Sequence, residues 1–149
     1  MLKALVPVDG SDHSLSAVRH VIKLHRKNEP LDIHVLNVQP PLRGDVTAFV
    51  PREVVDDYHI EEGNKALAGA LKLLDEAGIP YKKHIYVGNA AEVIAHMAKG
   101  LHCDEVIMGT HGFGTVTTML LGSVSHAAIH QMDPMIPVTL IKSPNAHVA

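Results

Sequence analysis

Apolar residues along the chain alternate between two patterns. Short, largely apolar runs occupy residues 2–8, 33–38, 81–87 (interrupted by Lys82, Lys83 and His84), 105–108 and 136–142. Runs of this length suit strands, and unbroken hydrophobicity suits a parallel sheet covered on both faces. The first run is broken only by Lys3, and the second is rich in β-branched residues. In the last, Pro137 suits a strand start or a sheet edge. Between the runs, residues recur at helical spacing: Leu15, Val18, Ile22 and His25, then the apolar stripe Leu67, Leu71 and Leu74.

The boundaries agree with this reading. Asp9-Gly10-Ser11 is a turn signal, and Ser11 or Asp12 caps the first helix, which ends at Asn28 with Pro30. Gln39-Pro40-Pro41 opens an irregular segment to about residue 52, long enough to be functional or disordered. A helix over 53–77 follows, with Gly78 at its stop and Pro80 beyond, although Gly63 and Gly69 weaken it. Asn89-Ala90-Ala91-Glu92 has capping-box spacing and opens a helix closed by Gly100. Residues 123–131 make the last helix. Strands alternating with helices predict a doubly wound α/β domain.

Composition narrows the picture. A length of 149 residues predicts one domain over residues 1–149, with 46% hydrophobic and 19% charged residues. No apolar run approaches the roughly 18 residues of a membrane span, and the N-terminus lacks a signal-peptide pattern. A net charge of −3, no Trp and 3% aromatics give no reason to expect nucleic-acid binding. The single cysteine, Cys103, excludes an internal disulfide and fits a reducing cytoplasm.

The candidate chemistry lies between residues 104 and 126. After the apolar run ending at Met108 come Gly109, Gly112 and Gly114, then Gly122-Ser123-Val124-Ser125 at a helix start. Glycines let backbone approach a ligand, and a helix N-terminus presents free N–H groups to an anion, commonly phosphate. The alternative is that the glycines only make turns and Ser123 only caps. Gly109, two residues, Gly112, nine residues, then Gly122-Ser123 resembles the ATP-binding signature of the universal stress protein family. Val6-Pro7-Val8-Asp9-Gly10-Ser11 resembles the same family's first strand and turn, and the order of elements agrees over nearly the whole chain. Phe113 stands where many members carry an arginine, which bears on triphosphate affinity.

This resemblance implies the adenine nucleotide alpha hydrolase-like (Rossmann-like) fold, a five-stranded parallel sheet in the order 3-2-1-4-5. In that order the Asp9 turn and the Gly109 loop meet at one switch-point crevice. It implies adenine-nucleotide binding (ATP, ADP or AMP) with Mg2+. Pro7 and Val38 would flank adenine, and Asp9, with Ser11 beside it, would lie near base and ribose. Met108 and Gly109 would present backbone to ribose or phosphate. Gly112, Gly122, Ser123, Val124 and Ser125 would serve the phosphates, Val124 through its N–H with its side chain packed inward. It implies a stress-response or signalling module acting through nucleotide-dependent conformation or an unidentified protein partner. It further implies a homodimer through the edge strand 136–142.

Other chemistries are weaker. There is no P-loop Gly-Lys-Ser/Thr, and no Lys or Arg between Gly109 and His130. Phosphate charge would therefore fall to N–H groups, His111, His126 and the metal. His126 and His130 stand four apart on one expected helix, and His20 and His25 lie on another. Without an HExxH motif or a cysteine pair these read as solvated or capping histidines rather than metal ligands. Cys103 reads as a buried inert thiol. No Gly-x-Ser-x-Gly and no paired carboxylates point to catalytic residues. Three alternatives stay open: a nucleotide-free dimeric interaction protein of the same fold, a slow Mg2+-dependent ATP hydrolase, and a flavodoxin-like redox protein.

Overall fold

The computed structural model describes residues 1–110 and 123–142. The expected strands and helices form as β1 (Leu2–Pro7), α1 (Asp12–Arg26), β2 (Leu31–Gln39), α2 (Gly44–Thr47), α3 (Arg52–Glu76), β3 (Tyr81–Val87), α4 (Ala90–Gly100), β4 (Glu105–Gly109), α5 (Ser123–Gln131) and β5 (Val138–Ile141). All strand pairs are parallel, in the order β3-β2-β1-β4-β5. Alternation along each strand divides the core between two layers. Ala4, Val6, Ile33, Val35 and Ile107 face α1 and α3. Leu5, Leu36, Val106 and Met108 face α4 and α5. Leu5, Leu36, Val106 and Ile107 are fully buried, each worth about 1.5–3 kcal/mol relative to exposure.

Two local features differ from the sequence expectation. The irregular segment after β2 contains the short helix α2, whose preceding Arg43 pairs with Asp45 at 2.7 Å. The last strand is shorter than residues 136–142 because Ile136 N–H turns back to the Asp133 carbonyl. The helix over Gly63 and Gly69 is unbroken. A Cβ on Gly63 would stand 2.5 Å from Ile85 Cγ2, so this glycine lets α3 lie close on β3. That contact outweighs the roughly 1 kcal/mol propensity cost of a helical glycine.

The sheet also holds a histidine pair that the sequence pattern did not single out. His34 is buried, and its Nδ1 lies 2.9 Å from His84 Nε2 on the neighbouring strand. The rings are 14° apart in plane with centroids 5.1 Å apart, so they meet end to end. Asp32 Oδ1 stands 3.6 Å from His34 Nε2. The carboxylate favours a proton on Nε2, which leaves Nδ1 to accept from His84 Nε2–H.

Burial is the main influence holding both imidazoles below their ordinary value of 6.5. Asp32 partly opposes this at His34; Lys82 and Lys3 reinforce it there, and His34 and Lys82 do so at His84. As pH falls through 6.5 the unfolded chain takes up protons that the folded pair resists. Stability must therefore fall with pH below that point. Urea midpoints should drop between pH 7.5 and 5.5, and drop less in His84→Leu. Equal pH slopes in the two proteins would show that the pair does not carry the effect.

Candidate functional site

The end of β1 is fixed from the sheet side. Val8 N–H donates to the Leu36 carbonyl at 2.8 Å. The buried Asn37 donates through Nδ2 to the Val8 carbonyl at 2.8 Å and accepts from Gln39 Nε2 at 2.7 Å. The chain then turns at Gly10, whose φ of +90° suits glycine. Ser11 caps α1, accepting from Ser14 N–H. Asp9 Oδ1 accepts from Ser11 N–H at 2.8 Å, Ser11 Oγ at 2.5 Å and Ser14 Oγ at 3.1 Å. Partial burial pushes the Asp9 carboxyl up, but the Ser11 and Ser14 bonds together outweigh it and hold it below the usual aspartate value. It is an ionised acceptor at neutral pH.

The end of β4 is fixed from the helix side. A Cβ on Gly109 would collide with the His13 carbonyl oxygen and lie 3.1 Å from Ser14 N. The glycine is thus required by the abutment of β4 on the first turn of α1. The side that a Cβ would occupy meets protein, and Gly109 also lines the adjoining cavity. Ser125 is buried and donates to the Gly109 carbonyl at 3.1 Å, tying α5 to β4. Thr110 N–H donates to the Ile141 carbonyl at 3.0 Å, which fixes the chain leaving the sheet.

Between these two ends lies a cavity of about 250 Å3. Pro7, Asp9 and Ser11 line it from the β1 side and Leu36 and Val38 from β2. Met108, Gly109 and Thr110 come from β4, and Val124 and Ser125 from α5. Eight of the sequence-predicted site residues therefore converge: Pro7, Asp9, Ser11, Val38, Met108, Gly109, Val124 and Ser125. The position is the switch point, where β2 and β4 leave opposite sides of β1. Gly112 and Gly122 lie outside the described residues, as do His111 and Phe113; Ser123 begins α5. Val124 was expected to pack inward, but it is 40% exposed. It stands in the first turn of α5 and lines the cavity.

The lining also includes His13, Ser14 and Ala90, which sequence reasoning missed. Ser14 had a usable signal: it stands three residues after the capping Ser11, where a second hydroxyl meets the same turn. Among the described lining residues the titratable side chains are Asp9 and His13, and none is Lys or Arg. The hydroxyl residues Ser11, Ser14, Thr110 and Ser125 share the lining with apolar Pro7, Leu36, Val38 and Met108, so the site can hold a flat apolar group against Pro7 and Val38 and accept hydrogen bonds at Asp9.

Elsewhere, Cys103 is buried, and burial pushes its thiol up, as an inert thiol requires. His126 and His130 touch at 4.7 Å between ring centroids on α5. No group of three or more potential metal ligands occurs among the described residues.

A model of the universal stress protein family matches residues 1–142. Universal stress protein MJ0531 of Methanocaldococcus jannaschii is 31% identical over 144 residues, covering 95% of this chain and 82% of that protein. The solved structure of MJ0577, from the same organism, is 28% identical with a TM-score of 0.74, covering 96% of each chain. A universal stress protein from Archaeoglobus fulgidus gives a TM-score of 0.72 at 20% identity, over 95% of this chain and 99% of that one. The fold shared with these neighbours is the adenine nucleotide alpha hydrolase-like one. Matched almost end to end by the family model and by a relative of 31% identity, this chain belongs to the universal stress protein family.

Proposed function

We propose that this chain is an ATP-binding stress-response module, a single domain over residues 1–149 that works in the cytoplasm through nucleotide-dependent conformation. The observation that carries the reading is the cavity at the β1–β4 switch point, where an ionised Asp9 shares the lining with apolar Pro7, Val38 and Met108. Fold neighbours from Arabidopsis thaliana and Archaeoglobus fulgidus were solved with AMP and dAMP respectively, and another with cAMP. Pro7 and Val38 then flank adenine, Asp9 accepts from ribose hydroxyls, and the first turn of α5 faces the phosphates. Among the described lining residues the sole carboxylate is Asp9, with one oxygen already engaged. Mg2+ would therefore be held through phosphate oxygens and water, as suits a cation that dehydrates reluctantly.

Chromatography of material released on denaturing the purified protein should yield an adenine nucleotide. Calorimetry should give saturable binding of ATP, ADP or AMP, measured with and without Mg2+. No binding of any of the three would overturn the reading in favour of a nucleotide-free interaction protein. Steady conversion of ATP to ADP by the purified chain would instead favour the hydrolase.

A homodimer through β5 belongs to the same reading. This strand is the sheet's edge beyond β4, and all four of its residues are partly exposed. Its bonds to β4 run through the Pro137 and Ile141 carbonyls, so the alternate residues Val138 and Leu140 turn their backbone groups outward. Such an edge pairs readily with a second copy about a two-fold axis. Sedimentation at tens of micromolar should show a dimer; a monomer at that concentration would refute it.

A further inference from the structure

Ser14 does more than complete a helix turn. It is buried, with 7% of its surface exposed, and its hydroxyl sits between two acceptors. Asp9 Oδ1 is 3.1 Å away and the Ser11 carbonyl 3.0 Å. Asp9 N–H in turn donates to Ser14 Oγ at 3.3 Å. A hydroxyl has one proton and can satisfy one acceptor at a time. An ionised carboxylate makes the stronger, charge-assisted bond and outcompetes the neutral carbonyl. Once Asp9 is protonated that advantage is gone, and the Ser11 carbonyl takes the proton. With Ser11 supplying two further donors, Oδ1 is saturated, and none of these three bonds engages Oδ2.

We propose that Ser14 is a positioning residue that, together with Ser11, locks the Asp9 carboxylate so that a single oxygen, Oδ2, serves the ligand as an acceptor. The assignment to a ligand rests on the adenine-nucleotide reading above. The lock itself is a property of the free protein. The other charges near it are few. His13 is the second titratable group among the described lining residues, and Asp12 is exposed at the start of α1. The lining residues of β2, β4, α4 and α5 carry no titratable side chain. The start of α1, with its positive dipole end beside Asp9, favours the ionised carboxylate.

An acceptor-only contact lasts only while Asp9 is ionised, so ligand affinity must have an acid limb that Ser14 helps to set. Ser16 provides a matched control. It is equally buried on α1, but its hydroxyl reaches the Asp12 carbonyl and not Asp9. The experiment follows the Asp9 carboxyl carbon by NMR through an acid titration of the ligand-free parent, Ser14→Ala and Ser16→Ala. AMP affinity is measured across the same pH range.

The Asp9 midpoint should move up in Ser14→Ala and stay in place in Ser16→Ala. AMP affinity at pH 7 should fall about three- to tenfold in Ser14→Ala, the worth of one hydrogen bond, and its acid limb should move with the midpoint. An unmoved midpoint would overturn the proposal. So would an affinity loss whose acid limb matches the parent's, since a merely structural serine gives that result. If the parent binds no adenine nucleotide, the nucleotide reading fails, and the NMR midpoint still decides the role of Ser14.

Discussion

Gly109→Ala should destabilise the chain by about 3 kcal/mol, or prevent folding. The added methyl would occupy the place of the His13 carbonyl oxygen, and Ser14 N lies just behind. Both obstacles are backbone in the first turn of a helix, so no side-chain rotation can relieve the clash. Relief requires α1 to move off β4, and α1 carries buried residues from Ala17 to Ile22 that anchor it to the sheet. Gly44→Ala is the control: its Cβ would meet nothing within 4 Å. Urea denaturation of the two variants against the parent measures the difference. A Gly109→Ala midpoint equal to the parent's would show that the strand end and the helix are not in contact.

Asp9→Ala should weaken nucleotide binding about 10- to 100-fold, corresponding to roughly 1.5–3 kcal/mol for a hydrogen bond to a charged acceptor. The fold should survive, because the residue is exposed at the cavity mouth and its bonds stay within one turn. A deoxyribose analogue supplies the second arm. If Asp9 contacts the ribose, the analogue loses affinity with the parent and little further with the variant, as coupled partners require. Simple addition of the two losses would remove Asp9 from the ribose, whatever the size of the first effect.

How much of this was legible beforehand depended on how far each property reaches along the chain. The strands and helices were legible because their signals are local: apolar periodicity, Ser11 and Asn89 as caps, Gly78 as a stop. The strand order came through resemblance, and with it the meeting of Asp9 and Gly109, a hundred residues apart in sequence. Gly109 stood out as special, but its contact with the first turn of α1 is one that its own neighbours in sequence do not reveal. His34 and His84 are fifty positions apart and meet only through the β2–β3 register, in which Leu36 opposes His84. The exposure of Val124 was not legible because a helix start beside a cavity turns one apolar position toward the open space.

The central strand has a consequence for how the chain reaches its folded form. β1 pairs with β2 on one side, with only α1 between them in sequence, and with β4 on the other, across most of the chain. Lys3 reinforces the distant side. Its N–H donates to Asp104 Oδ2 at 2.8 Å, its Nζ to the Leu101 carbonyl at 2.8 Å, and its carbonyl accepts from Asp104 N–H at 2.7 Å. During synthesis the β1–β2–β3 half therefore emerges with one flank of its central strand unpaired. Closing a loop of that length is slow, and an open apolar edge invites pairing with other chains. The nascent chain stays vulnerable until residues 101–108 arrive, and the cavity cannot exist before they do.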